Sequence, residues 1–154
     1  AGLCAGVLDT GLNTQHVDVA GRIVATRNFT PDNGGDASDV TDGNGHGTNV
    51  AGIAAARDND LGVLGVAPGA RLYAVKVLDR NGTGYDSDII AGLQWVVARG
   101  IPLVNMSLGG PGSVQGSCGA TPDRPGRARA RGRPSTWRAS AYTRSWGSTR
   151  RGAP

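Results

Sequence analysis

Apolar residues in the first 110 positions fall into short blocks with two different periods. The run Ala5 to Leu8, weakened by Gly6, predicts a strand that ends in the turn Asp9-Thr10-Gly11, and Arg22 to Phe29 predicts an extended segment. Thr30 to Gly45 is dense in Asp, Asn and Gly and is expected to be a surface loop. From Gly47 to Ala56 the small residues Ala51, Gly52, Ala54 and Ala55 surround Val50 and Ile53 at helical spacing, predicting a buried helix with His46 at its start. Asp58-Asn59-Asp60 with Gly62 predicts a turn, and Arg71 to Leu78 a central strand. Asn81 to Gly84 is expected to be a tight loop. Asp86 to Arg99 is then the clearest helix: Ile89, Ile90, Leu93, Val96 and Val97 form its apolar face, Asp86 and Asp88 lie in its first turn, and Gly100 stops it. Pro102 to Ser107 is expected to be a further strand, delivered into Leu108-Gly109-Gly110.

Strand, helix, strand, helix, strand with short connections is the pattern of an α/β fold, a mostly parallel sheet covered on both faces. Right-handed crossovers bring Asp9, the loop before His46 and Ser107 to Gly110 to one carboxyl-end rim, where such sheets place functional groups. Charge changes the picture after that point. Residues 1–110 carry seven Lys/Arg and eleven Asp, whereas residues 111–154 carry nine Arg and one Asp and contain no Ile, Leu, Phe or Met. The expected organisation is therefore a domain over 1–110 and a basic, irregular tail over 111–154, with too little apolar surface to offset the entropy of ordering it. No apolar run is long enough to span a bilayer, and no signal peptide is visible. Cys4 and Cys118 fall one in each part, and no disulfide between them is expected.

His46 carries the first candidate chemistry. At a helix N-terminus the unsatisfied backbone N–H groups and the dipole disfavour a further positive charge, which suits an imidazole that must accept a proton. Asp9, at the carboxyl end of a strand, is either a turn cap or a functional carboxylate.

Four ordered blocks decide between these: Val7-Leu8-Asp9-Thr10-Gly11, His46-Gly47-Thr48 through Val50-Ala51-Gly52, Gly65-Val66-Ala67-Pro68-Gly69-Ala70 with Tyr73 to Leu78, and Asn105-Met106-Ser107-Leu108-Gly109-Gly110. Over roughly residues 5–112 the chain resembles the subtilisin-like serine proteases. The resemblance implies a three-layer, doubly wound sheet of the subtilisin type, here incomplete, and a serine endopeptidase using an Asp-His-Ser triad. Asp9 would orient His46, and His46 would be the general base. Ser107, Leu108 and Gly109 would bind an extended polypeptide substrate as an added strand, with Leu78, Gly82, Thr83 and Gly84 lining the cleft. Asp86 stands where the family often has an aromatic. A structural Ca²⁺ is also implied, held by the side chains of Asp18 and Asn59 and the carbonyls of Arg57, Leu61 and Val63. The resemblance further implies a secreted, monomeric parent protein.

The departures from the family shape the expectation for this chain. No Gly-Thr-Ser-Met-Ala block or oxyanion-hole Asn follows residue 110, and Gly147-Ser148-Thr149 comes too early and without the small-residue helix expected after it. Loss of the serine alone costs a triad enzyme about 10⁶ in kcat, so the 154 residues are expected to be an inactive fragment. The family's N-terminal segment, with its remaining calcium ligand, is expected to be missing, and Asn49 replaces a frequent second His. The shift in composition after about Gly112 is what a GC-rich gene read in another frame would give. Two other functions compete. One is an aspartic-type protease pairing Asp9-Thr10-Gly11 across a dimer, and the other a nucleic-acid binder acting through the arginines of the tail.

Overall fold

The computed structural model describes residues 2–110 and, as backbone, the strand Thr136–Ala139. Cys118 and Gly147-Ser148-Thr149 lie outside the described residues. In chain order the elements are β1 (Cys4–Asp9), β2 (Ile23–Asn28), α1 (His46–Ala55), β3 (Arg71–Lys76), β4 (Thr83–Tyr85), α2 (Asp86–Ala98), β5 (Leu103–Asn105), β6 (Leu108–Gly109) and β7 (Thr136–Ala139). Strands β2, β3, β1 and β5 pair in that order, all parallel, which is the predicted α/β sheet.

The period-2 alternation of the strands sorts the core into two layers. Ala5 and Val7 of β1 and Leu72 and Ala74 of β3 face α1, where they pack with Ala51 and Ala55. Leu8 of β1 and Val75 of β3 face the other way, onto Ile89 and Val96 of α2. Both faces of β1 and β3 are thus covered, which is why these strands read as nearly continuous apolar runs.

Helix α1 buries one stripe, Gly47, Ala51 and Ala55, spaced by four. The expectation that the whole helix is buried is corrected here: Ile53 is 61% exposed. The small residues on the buried stripe let the helix axis come close to the sheet, and that closeness positions the site. Helix α2 starts at Asp86 as predicted and ends before Gly100, whose φ of 62° lets its N–H turn back to Val97 O. Its contact line runs through Ile89, Gly92 and Val96, and not along the full predicted face, since Ile90 is 53% and Val97 76% exposed.

Three segments differ from the expected outlines. The loop 30–45 contains a short 3-10 turn, Asp32–Gly35. The tight loop after Asn81 opens directly into β4, and the predicted strand over 102–107 shortens to β5, with the separate strand β6 just beyond it at Leu108–Gly109. Four residues expected to be irregular, Thr136–Ala139, form β7, antiparallel to both β4 and β6 in a second sheet of order β4-β7-β6.

Candidate active site

Asp9 ends β1 at the carboxyl edge of the sheet, and its side chain is fully buried. His46 opens α1 and points its Nδ1 at Asp9 Oδ1, 2.7 Å away, with the imidazole 14% exposed. Residues 37 apart in sequence meet because Gly47 lets the first turn of α1 press against the β1 turn. A Cβ on Gly47 would overlap the Gly11 carbonyl oxygen and crowd Asp9 Cβ. An ionised carboxylate only accepts hydrogen bonds, so Nδ1 carries the proton, which fixes the tautomer with Nε2 as the basic nitrogen. Burial pushes the Asp9 carboxyl above its ordinary value, and the bonds from His46 and the Thr10 backbone N–H only partly oppose this.

Around this pair lies a polar frame the sequence did not reveal. Gly45 heads α1 without a capping side chain. Asp42 serves in its place: Oδ1 accepts from the Asn44 and Gly45 N–H groups, and Oδ2 accepts from Thr48 N at 2.9 Å and Thr48 Oγ1 at 2.6 Å. The same carboxylate accepts from the Thr10 hydroxyl at 2.8 Å, and Thr10 Oγ1 accepts from Gly47 N at 3.0 Å. Thr10 and Asp42 thereby tie the residue after Asp9 to the residue after His46. Burial works against the Asp42 charge, but these donors outweigh it and hold the carboxyl below its ordinary value.

The Thr10 carbonyl accepts from the ammonium of Lys76, which is completely buried and pairs with Asp32 at 3.2 Å. Asp32 also accepts from Arg80 N at 2.7 Å. Despite partial burial, Lys76 and Arg80 keep Asp32 below its usual range. One member of the frame had a readable signal: Lys76 is a charge inside an apolar strand, which calls for an acidic partner such as Asp32.

The residues expected to line a peptide cleft fall into two groups. Leu78 is buried in the α2-side core, and Gly82 is buried in the turn before β4. Thr83 and Gly84 lie in β4, and Leu108 and Gly109 form β6. Ser107 precedes β6 and donates from its hydroxyl to Asn105 Oδ1 at 2.9 Å. Strand β7 lies between β4 and β6, pairing Gly84 with Trp137 and Leu108 with Ala139.

Of the expected calcium ligands, two side chains meet: Asn59 Nδ2 donates to Asp18 Oδ1 at 3.0 Å, while Asn59 Oδ1 accepts from Leu61 N. The Arg57 N–H donates to the Asp18 carbonyl, and Val63 and Leu61 are exposed. One carboxylate, one amide oxygen and three carbonyls make a hard-oxygen donor set suited to Ca²⁺. Among the described residues no group of three or more His, Cys, Asp or Glu side chains gathers as a metal cluster, and Cys4 is a free thiol. No described helix is long and apolar enough to cross a membrane.

A buried Asp holding a His by Nδ1 at the carboxyl edge of a parallel sheet is the acid–base arrangement of a serine-protease triad. The chain belongs to the subtilase family, whose family model matches residues 1–152. It is 47% identical to subtilisin DY of Bacillus licheniformis over 111 residues, covering 72% of this chain and 38% of that protein. The major intracellular serine protease of Bacillus subtilis is 48% identical over 109 residues, which are 70% of this chain and 34% of the relative. Subtilisin E of Bacillus subtilis is 48% identical over 105 residues, 68% of this chain and 26% of the relative. The chain thus spans between about a quarter and two fifths of the length of these relatives.

Proposed function

We propose that this chain supplies the Asp and the His of the triad of a subtilisin-type serine endopeptidase, with Asp9 orienting the imidazole and His46 moving the proton. The observation that carries this reading is the 2.7 Å contact between His46 Nδ1 and the fully buried Asp9. Asp9 holds the imidazole in one tautomer and stabilises the imidazolium. His46 Nε2 takes the proton of a serine hydroxyl as that oxygen attacks the peptide carbonyl, then returns it to the leaving amine. The substrate is a polypeptide bound in extended form, with Gly82, Thr83 and Gly84 on one side and Ser107, Leu108 and Gly109 on the other, and Leu78 below. The parent protein is secreted and monomeric, although intracellular serine proteases are also among the relatives.

No nucleophile motif stands in residues 111–154, so the polypeptide of 154 residues is inactive by itself. Two measurements on the full chain test the assignment together. In ¹⁵N-histidine NMR the Nδ1 proton of His46 resonates at low field and vanishes in Asp9→Asn. Casein incubated with the chain is not cleaved above background. A low-field signal that persists in Asp9→Asn would sink the pairing. Cleavage blocked by a pepstatin-type compound and not by a serine-directed phosphonate would instead favour an aspartic-type protease.

Ca²⁺ binds through the side chains of Asp18 and Asn59 and the carbonyls of Arg57, Leu61 and Val63, and its role there is to pin the turn that follows α1. Adding millimolar Ca²⁺ raises the thermal midpoint of the full chain, and Asp18→Asn abolishes the increase. An identical midpoint with Ca²⁺ and with a chelator counts against the site.

A further inference from the structure

Strand β7 has an unusual position for a segment so far along the chain. Its neighbours on the two sides, β4 and β6, are the same two short strands assigned above to grip an extended substrate, and β7 is antiparallel to both. Thr83, Gly84 and Tyr85 pair with Arg138, Trp137 and Thr136, and on the other side Leu108 and Gly109 pair with Ala139 and Arg138. Arg138 is therefore paired across both rims at once. Without β7, each rim would present an unpaired strand edge, the ready template onto which an extended peptide adds.

We propose that Thr136–Ala139 is an internal ligand of the gap between β4 and β6, bound in the manner of a peptide substrate, so that an extended peptide must displace it to enter. The inference rests on the reading of this gap as the substrate cleft and adds what fills it. Recognition runs through backbone ladders, so it selects an extended shape more than a particular sequence. A ligand carried on the same chain competes at an effective concentration on the order of millimolar. A peptide in solution therefore binds weakly until β7 leaves.

The test uses the full chain and two variants at the doubly paired position. Proline lacks the N–H that a central strand needs and cannot be held between two neighbours. Arg138→Pro thus removes β7 as a competitor, while Arg138→Ala keeps its backbone. The probe is a fluorescein-labelled synthetic peptide, Ser-Thr-Trp-Arg-Ala-Ser, copied from residues 135–140, and binding is read by fluorescence anisotropy. Arg138→Pro binds the probe at least tenfold more tightly than the unaltered chain, and Arg138→Ala binds it like the unaltered chain. Hydrogen exchange supplies the second readout: amides in Thr83–Tyr85 and Leu108–Gly109 lose protection in Arg138→Pro and regain it when the probe is added. Equal affinities for the unaltered and Arg138→Pro chains overturn the internal ligand and leave the cleft reading standing. So does an equal gain in Arg138→Ala, which would make the side chain and not the ladder responsible. Failure of every chain to bind the probe overturns the cleft reading and the internal ligand with it.

Discussion

At the scale of single residues, the candidate site rests on two that the sequence made legible and two that it did not. Asp9 and His46 could be found because each lies at an element boundary whose pattern is plain: an apolar run ending in Asp-Thr-Gly, and a glycine-rich loop giving way to small helical residues. Thr10 and Asp42 were illegible because their roles exist only in three dimensions. A hydroxyl has one proton, and Thr10 gives it to Asp42 while its backbone N–H donates to Asp9 Oδ1. Asp42→Asn substitutes an amide that must turn a donor towards some of the five groups now donating to the carboxylate. Hydrogen bonds to a charged acceptor contribute about 1.5–3 kcal/mol. The variant is accordingly expected to lose about 2 kcal/mol of stability and to weaken the low-field His46 signal, as measured by denaturant melts and NMR. An unchanged signal would mean that Asp42 merely caps the helix.

At the scale of elements, periodicity located both helices and the central strands to within a residue or two, and failed where elements were too short to have a period. β4 and β6 are three and two residues long, and nothing in a glycine-rich loop distinguishes such a strand from a turn. The apolar face predicted for α2 was too wide, because a glycine, Gly92, stands on its contact line while Ile90 and Val97 lie to the sides. Glycines in α1 give the sharpest prediction at this scale. Gly47→Ala places a methyl group against the Gly11 carbonyl and forces α1 off the sheet, and overpacking of this kind costs up to about 3 kcal/mol. Gly52, five residues on in the same helix, has nothing within 4 Å of an added Cβ. Gly52→Ala should instead stabilise by about 0.5–1 kcal/mol, the helix-propensity difference. Comparing the two melts tests whether close approach, and not helix propensity, accounts for glycine at residue 47. Equal effects would refute it.

For the molecule as a whole, acid is the condition that separates its carboxylates. Asp32 and Asp42 are held below the ordinary value of 3.8 in the folded state. A carboxylate depressed by folding stabilises the fold above its unfolded value, and the contribution is lost as pH falls through the folded one. Asp9 has the opposite sign: its carboxyl is raised, so the folded state favours the protonated form and the contribution fades as pH rises through that value. The thermal midpoint is expected to drop as pH is lowered below about 3.8, with a shallower fall in Asp42→Asn, whereas Asp9→Asn at pH 7 holds its midpoint or gains. A midpoint flat between pH 5 and pH 2.5, where roughly all ordinary carboxylates titrate, would show that neither Asp32 nor Asp42 is coupled to folding. The strand order has a dynamic consequence as well. β1 is paired on both sides by β3 and β5, so the carboxylate at its end is tethered to the part of the molecule that opens last. The rims built from β4 and β6 have only a few ladder bonds and open locally at far smaller cost. The Asp9–His46 pair is thus anchored to the slow-exchanging centre, and the short strands sit on a margin that breathes.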